Sequence, residues 1–502
     1  MQFIVKLFPE ISIKSRNVRQ RWTRQLGNNI RKQLRPLCER GLEVVPQWDR
    51  ILVKAPGEDE HKATEFADVL ARTPGIANFS RVQAWPLETL EAAGELAATR
   101  FADDVKGKTF CIRIKRSGKH DFTSTEAERI LGGVIKARTD NLGVRLNNPD
   151  IELNAEIKDD KLFLVNQRWE GLGGFPIGTQ ESVLTLISGG FDSTVASYLM
   201  MRRGVTNHFC FFNLGGREHE IGVKEIAYYL WRQFGSTQKV KFVSVPFEGV
   251  VTEILQNVEN SQMGVVLKRM MLRAASKVAE AIDTSALVTG EAIGQVSSQT
   301  LKNLQCIDSV TDTLVLRPLI VSDKTEIIDT TRKIGAEEFA AAMPEYCAVI
   351  SKKPTTRANP LKIAAEEEKF DFAALDAAVE NAAIMSIVDI QFDKSRENTK
   401  EVELIPTPQA GDTVLDIRHP NEQELHPFDE TSLPADVALA PQPFYQLSTA
   451  FAELDKSRRY LLWCDRGVMS RLHASHLLDE GYENIAVYRP ENKAIGDKEG
   501  QK

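Results

Sequence analysis

Apolar positions along this chain recur with more than one period, and the rhythm changes near residue 181. The opening MQFIVKLF reads as a strand. Val18, Trp22, Leu26, Ile30, Leu34 and Leu37 then recur at helical spacing and predict a basic amphipathic helix over 15–40. RILVKAP at 50–56 predicts a second strand. KATEFADVLARTPG at 62–75 predicts a helix stopped by Pro74-Gly75, and IANFSRVQAW a further strand. This β-α-β-α-β order predicts a small α+β layer of the ferredoxin type.

A second unit follows over about 86–168. LETLEAAGELAATRF predicts a helix, TFCIRIKRSG a strand, and STEAERILGGVIKAR a second helix, with Ser124 or Thr125 as N-cap and Glu128 near the capping-box position. NPDIELNAEIKDDKLFLVNQRWEG predicts two alternating strands joined at Asp159-Asp160. Gly171, Gly173, Gly174 and Gly178 mark a linker.

From 181 continuous apolar strands alternate with helices: SVLTLI, HFCFFNL, VKFVSVPF, SALVTG and TLVLRPL. Such strands predict a parallel sheet covered on both faces, running to about 395. An acidic, proline-containing stretch at 396–412 separates it from a small α/β unit with strands TVLDIR, RYLLWC and NIAVYR.

Composition changes this picture only locally. The 502 residues suit three or four domains. The net charge of −7 argues against a chain that binds nucleic acid throughout, yet residues 11–35 hold eight Lys/Arg and no Asp/Glu. Residues 361–438 reverse this, with eighteen acidic and six basic residues. A polyanion partner is therefore expected for the front alone. The six cysteines form no CxxC pair and no zinc-like cluster, and no apolar run is long enough to span a membrane. A cytosolic protein with mostly reduced thiols is expected.

The candidate chemistry begins at SGGFDS, residues 188–193, between a buried strand and a helix. A glycine-rich turn and a helix N-terminus aim backbone N–H groups at one point, a phosphate cradle. Gly189 and Gly190 permit close approach, and Ser188 and Ser193 add hydroxyls. No lysine of the GxxxxGK[ST] kind is present. Asp192 beside a triphosphate is repulsive unless Mg²⁺ lies between them.

SGGFDS resembles the pyrophosphatase loop of the enzymes that cleave ATP between its α- and β-phosphates and activate a carbonyl oxygen as an adenylate. That resemblance implies adenine against Leu186 and Ile187, and pyrophosphate in the loop. Lys268, Arg269 and Arg273 in VLKRMMLR, Gly290 and Gln299 in TGEAIGQVSSQT, and Lys324 beside Asp323 in SDKTEI follow successive strands, at the ends where ligands bind. His219 in GGREHE reads better as a surface histidine.

Cys464 ends the apolar run RYLLWC, ahead of Gly467 and a helix expected near Ser470. Backbone N–H groups at a helix N-terminus stabilise a thiolate, and Arg466 and Arg471 add positive charge. This is a place for a nucleophilic or persulfide-carrying sulfur. The stretch resembles the active-site loop of rhodanese domains, and LDIRHPNE matches their first strand, which implies structural parts for Asp416 and Arg418. Cys38, Cys111, Cys210 and Cys306 read as core packing. Cys347 in MPEYCAVISKKPTT is ordinary by itself; beyond the last strand-helix unit of the nucleotide domain it is a candidate resolving thiol for Cys464.

Lys115, Arg116, Lys119, Lys136, Arg138 and Arg145, with the basic helix, form a candidate phosphate-backbone footprint. This region, through VRLNNPDIEL, resembles the THUMP domain of tRNA-modifying enzymes. Taken together, the chain resembles the tRNA 4-thiouridine synthetase family over almost its whole length. The resemblance implies a multidomain α/β and α+β protein: a ferredoxin-like domain (1–80), a THUMP domain (61–168), a doubly wound parallel-sheet pyrophosphatase-loop domain (178–395) of the adenine nucleotide α-hydrolase kind, and a small α/β rhodanese-like domain (412–490).

It further implies ATP and Mg²⁺, uridine 8 of tRNA as substrate, and a PLP-dependent cysteine desulfurase as sulfur source. A thiocarboxylate sulfur-carrier protein for the thiazole of thiamine is a second implied acceptor. A transient Cys347–Cys464 disulfide is implied, and members are often homodimers. Two readings compete: an amidotransferase-type ligase that adenylates another substrate, which leaves the basic front and Cys464 unused, and an RNA-binding or sulfur-carrier scaffold, which leaves SGGFDS unused.

Overall fold

The structure, a computed structural model, describes residues 1–38, 41–55, 62–214, 217–343, 354–390, 402–418, 423–424, 426–443, 447–464 and 467–490. The chain forms two compact units, Met1–Pro176 and Ile177–Lys502.

The first unit is built on one eight-stranded sheet. Its strands are β1 (Gln2–Leu7), β2 (Glu43–Pro46), β3 (Arg50–Lys54), β4 (Ile76–Pro86), β5 (Thr109–Ser117), β6 (Gly143–Val144), β7 (Ile151–Lys158) and β8 (Lys161–Glu170). They lie in the order β2-β3-β1-β4-β8-β7-β5-β6. Phe3, Val5 and Leu7 alternate onto one face, where Trp22, Leu26 and Ile30 of the helix Arg16–Leu34 and Phe66 and Leu70 of the helix Ala63–Ala71 cover them. The helices Leu90–Val105 and Ser124–Arg138 cover the other half through Phe101, Leu131 and Ile135.

The two successive layers expected from the sequence thus share a single sheet. The reason is the length of β4: its eleven residues pair with β1 at one end and with β8 along most of their length. The cap of the helix Ser124–Arg138 also differs from expectation. Thr123 is the extended residue whose side chain accepts from the Glu126 N–H, and Glu126 returns the bond to the Thr123 N–H at 2.7 Å. The capping box therefore sits one or two residues earlier than the Ser124/Thr125 reading, because the residue that leaves the helical backbone conformation makes the cap.

The second unit holds two sheets. The larger one contains β9 (Ser182–Leu186), β10 (Thr206–Asn213), β11 (Lys241–Pro246), β12 (Ala286–Val288), β13 (Leu314–Leu316) and β14 (Ala383–Ser386), in the order β13-β12-β9-β10-β11-β14. The first five are parallel, as the continuous apolar runs predict, and β14 closes one edge antiparallel to β11. Winding proceeds from β9 to β11 in one direction and from β12 to β13 in the other. A crevice opens at such a reversal, at the carboxyl end of β9, where SGGFDS follows.

The smaller sheet is wholly parallel, in the order β15-β19-β18-β16-β17: β15 (Leu404–Ile405), β16 (Thr413–Asp416), β17 (Ala438–Pro441), β18 (Tyr460–Trp463) and β19 (Ile485–Tyr488). Val414, Leu461, Trp463, Ala486 and Tyr488 form one face of its core. No helix among the described residues is long and apolar enough to cross a membrane.

Candidate active site

The SGGFDS turn folds into an open helix end. After β9, the Ile187 N–H still donates to Cys210 O at 2.9 Å, so the chain leaves the sheet only at Ser188. Gly190 is the N-cap of the helix Phe191–Arg202 and offers no side chain to its first N–H groups. Those donors remain available to a ligand. Ser193 Oγ lies 3.2 Å from both the Ser188 N and the Ser188 Oγ, which closes the turn on itself. Gly189 has φ +82°, and a Cβ there would stand 2.8 Å from Met343 Sδ. Both the conformation and the space require glycine.

Asp192 lies in the first turn of this helix. Its Oδ1 is 2.8 Å from Lys324 Nζ and its Oδ2 accepts from Gln295 Nε2 at 2.8 Å. Lys324 opens the helix Lys324–Lys333, capped by Asp323, and its ammonium also lies 5.4 Å from the Phe191 ring centroid. Gly290, just past β12, packs onto the loop: a Cβ there would fall 2.6 Å from Asp192 C and Ser193 N. Leu186 and Ile187 end the strand beneath, Ile187 buried. Gln299 is buried within a short helical turn, and Gly294 N–H donates to its carbonyl.

The other basic residues of the expected set are placed differently. Lys268 lies 2.8 Å from Glu291 Oε1, and Glu291 also receives Arg317 Nε at 2.9 Å and Thr289 Oγ1 at 3.0 Å. Burial raises the Glu291 carboxyl, but Lys268 and Arg317 together outweigh burial and bring it down to about 2. Arg269, expected to reach phosphates, is buried in a two-pronged bond to Glu367, both contacts 2.7 Å. Arg273 joins the same carboxylate at 3.2 Å. These two arginines hold the helix Met263–Ile282 to the segment around Glu367. His219, expected at the surface, is only 5% exposed, and its Nε2 lies 3.0 Å from Ser188 O.

Glu291 and Gln295 are not among the residues the sequence pattern singles out, although both lie within TGEAIGQ. A carboxylate directly after a buried strand was the available signal, since such a charge requires a partner.

Cys464 follows β18 directly and is 6% exposed. Its Sγ receives the Ser470 N–H at 3.4 Å and lies 3.4 Å from Ser470 Oγ. Gly467, at φ +74°, turns the chain into the helix Val468–Asp479, so the thiol faces that helix's first turn as expected. Arg418 and Asp416 form a buried two-pronged pair at 2.9 and 2.7 Å, with the guanidinium 4.3 Å from the Trp463 ring centroid. Cys111, Cys210 and Cys306 are buried, as the packing reading requires, whereas Cys38 is only half-buried at the edge of the first unit's core. Cys347 and Arg466 lie outside the described residues.

On the first unit, Lys115, Arg116, Lys119, Lys136, Arg138 and Arg145 are all exposed. Lys115 and Arg116 end β5, and Lys136 and Arg138 occupy the last turn of the helix Ser124–Arg138. Arg116 meets His120 Nδ1 at 3.2 Å, and Arg138 pairs with Glu95 at 2.9 Å. Exposed pairs of this kind are weak and exchange readily for phosphate.

Comparison with known proteins follows the same division of the chain. Residues 2–80 match the ThiI ferredoxin-like domain, residues 88–165 the THUMP domain, and residues 178–372 the family described as Thiamine biosynthesis protein (ThiI). Over 98% of its length the chain is 57% identical to the tRNA sulfurtransferase of Saccharophagus degradans and 52% identical to that of Escherichia coli, covering the whole of each. A crystal structure of a 4-thiouridine synthetase–RNA complex with bound ATP superposes with a TM-score of 0.67 and 28% identity, over 77% of this chain and 99% of that one.

Fold and matches together define an enzyme built from a ferredoxin-like domain, a THUMP domain and a pyrophosphatase-type α/β domain. The chain belongs to the tRNA sulfurtransferase family.

Proposed function

We propose that this enzyme transfers persulfide sulfur to uridine 8 of tRNA in an ATP-dependent reaction, giving 4-thiouridine through an adenylated intermediate. The observation that carries this reading is the open helix end at Gly190, with Asp192 held 2.8 Å from Lys324 beside it. A 28%-identical 4-thiouridine synthetase crystallised with RNA and ATP supports it. The donor set fits Mg²⁺ with ATP. Uncapped N–H groups at the helix end would take phosphate oxygens, and the Asp192 carboxylate would hold the ion indirectly. Mg²⁺ bound there would supply charge neutralisation for the pyrophosphate.

The chain's own residues divide the work. The exposed basic residues of the front, Lys115 to Arg145, hold the tRNA backbone. The loop Ser188–Ser193 and Lys324 hold the phosphates while O4 of the uridine attacks the α-phosphate. AMP is then the leaving group that a bare carbonyl oxygen is not. Lys268, Gly290 and Gln299 border the nucleotide, with Leu186 and Ile187 under the adenine. Cys464, in a rhodanese-like unit over 412–490, carries the sulfur. Its terminal persulfide sulfur bonds to C4 as AMP leaves. The Cys347 thiolate then attacks the Cys464 sulfur, releasing the thiolated base and leaving a Cys347–Cys464 disulfide, which an external thiol reduces.

A PLP-dependent cysteine desulfurase in the cytosol would load Cys464. A thiocarboxylate carrier for thiamine biosynthesis is a second acceptor. Cys464→Ala tests the core of the reading: near-UV absorption of thiolated tRNA should vanish while tRNA binding and tRNA-dependent pyrophosphate release remain. Thiolation by this variant would remove Cys464 from the mechanism.

A further inference from the structure

We infer that His219 is a positioning residue for the phosphate loop: its ring N–H holds the Ser188 carbonyl away from the bound phosphates and thereby turns the Gly189 N–H toward them. This role rests on the reading of 188–193 as the ATP loop.

Three observations meet at this point. First, His219 Nε2 lies 3.0 Å from Ser188 O, and the side chain is 5% exposed. A carbonyl oxygen only accepts, so Nε2 must carry the hydrogen. Burial lowers the pKa of the ring, with the Ser188 bond opposing, so the imidazole is neutral at physiological pH and adds no charge of its own. Second, the ring is fixed in direction. It stands edge-on to Phe211 at the end of β10, centroids 4.9 Å apart and planes at 88°.

Third, the helix that carries His219, Arg217–Leu230, supports the same loop once more. Val223, one turn further along, lies 3.2 Å from the position a Gly189 Cβ would take. The helix thus braces the loop from one side at two consecutive residues.

Peptide geometry links these contacts to phosphate binding. The described chain has no cis peptide bond, so the Ser188 C=O and the Gly189 N–H, which share a peptide plane, point in opposite directions. Gly189 lacks a Cβ and sits at φ +82°, in a region where a glycine peptide can reorient at low cost. Without a donor on the helix side, that plane can rotate and present its carbonyl oxygen to the phosphates, replacing a donor with a repulsive acceptor. His219 removes that alternative.

Two unbranched replacements of similar volume separate the donor from the packing. In the full-length protein, His219→Gln keeps an N–H donor and His219→Met does not. The readouts are KM for ATP in tRNA-dependent pyrophosphate release, and inhibition by inorganic pyrophosphate and by adenosine. His219→Met should raise KM for ATP and weaken pyrophosphate inhibition about five- to tenfold, the effect of one lost hydrogen bond, with adenosine inhibition within about twofold. His219→Gln should recover most of the loss. Equal behaviour of the two variants, or weakening of adenosine as large as that of pyrophosphate, would overturn the role. If the unaltered protein released no pyrophosphate, the loop reading itself would fall, and this role with it.

Discussion

The ammonium of Lys324 lies 2.8 Å from the carboxylate of Asp192, although 132 residues separate them. Asp192 belongs to the helix that follows β9 and Lys324 to the helix that follows β13. The pair therefore joins the two arms of the sheet across the crevice where the winding reverses.

Lys324→Met should reduce tRNA-dependent pyrophosphate release about 100-fold, the scale of losing one preorganised charge partner of a developing anion. Stability should change by less than about 1 kcal/mol, because Lys324 is 44% exposed and such pairs contribute little to folding. A thermal melt beside the release assay checks both. A large fall in melting temperature would reassign the pair to structure.

Gly290→Ala should disable the same loop from the opposite side. The added Cβ would stand 2.6 Å from backbone atoms of Asp192 and Ser193, which cannot move aside as a flexible side chain would. A loss of about 1–3 kcal/mol in stability is expected, with ATP affinity lowered more than tRNA affinity. Titrating the variant with ATP and with tRNA separately checks the order.

Much of this site was legible because its signals are local. SGGFDS, the strand before it and the helix after it occupy adjacent residues, so period and turn chemistry reveal them. What was not legible depends on partners distant in sequence. Lys268 and Arg269 look alike as basic residues on one helix, yet one meets Glu291 and the other Glu367. Nothing near either residue tells which carboxylate it will find. The surface reading of His219 failed for the same reason: its hydrogen-bond partner is 31 residues away. The shared eight-stranded sheet depended on the pairing of β4 with β8, which the alternation of either strand cannot announce.

Glu291 gives the fold a defined acid sensitivity. Its carboxyl is held near 2 in the folded chain against an ordinary 4.5. The folded value is the lower one, so the contribution is complete above about pH 4.5 and is lost as pH falls from there toward 2. The urea midpoint should decline across that window. Glu291→Gln should flatten that part of the profile and cost about 3 kcal/mol at neutral pH, the low end for breaking a buried pair, because Arg317 keeps its bonds to Asp308.

The buried pair Asp416–Arg418 gives the proposed sulfur carriage by Cys464 a test separate from the proposed adenylation. Both side chains are at most 6% exposed, and Arg418 also donates to His426 O at 2.9 Å. Ile417 N–H donates to Trp463 O at 3.1 Å, so this segment directly supports the residue before Cys464. Asp416→Ala leaves the Arg418 charge buried and without its carboxylate, at a cost of about 3–5 kcal/mol. That is a large share of the stability of a small α/β domain. The sheet β9–β14 does not contain this pair, so tRNA-dependent pyrophosphate release should survive while thiolation is lost. A thermal melt should show an early transition that the unaltered protein lacks. Replacing both residues, Asp416→Leu with Arg418→Met, removes the orphaned charge and should restore part of the lost stability. A double variant no more stable than Asp416→Ala would show that the hydrogen bonds of Arg418, rather than its neutralisation, hold the domain.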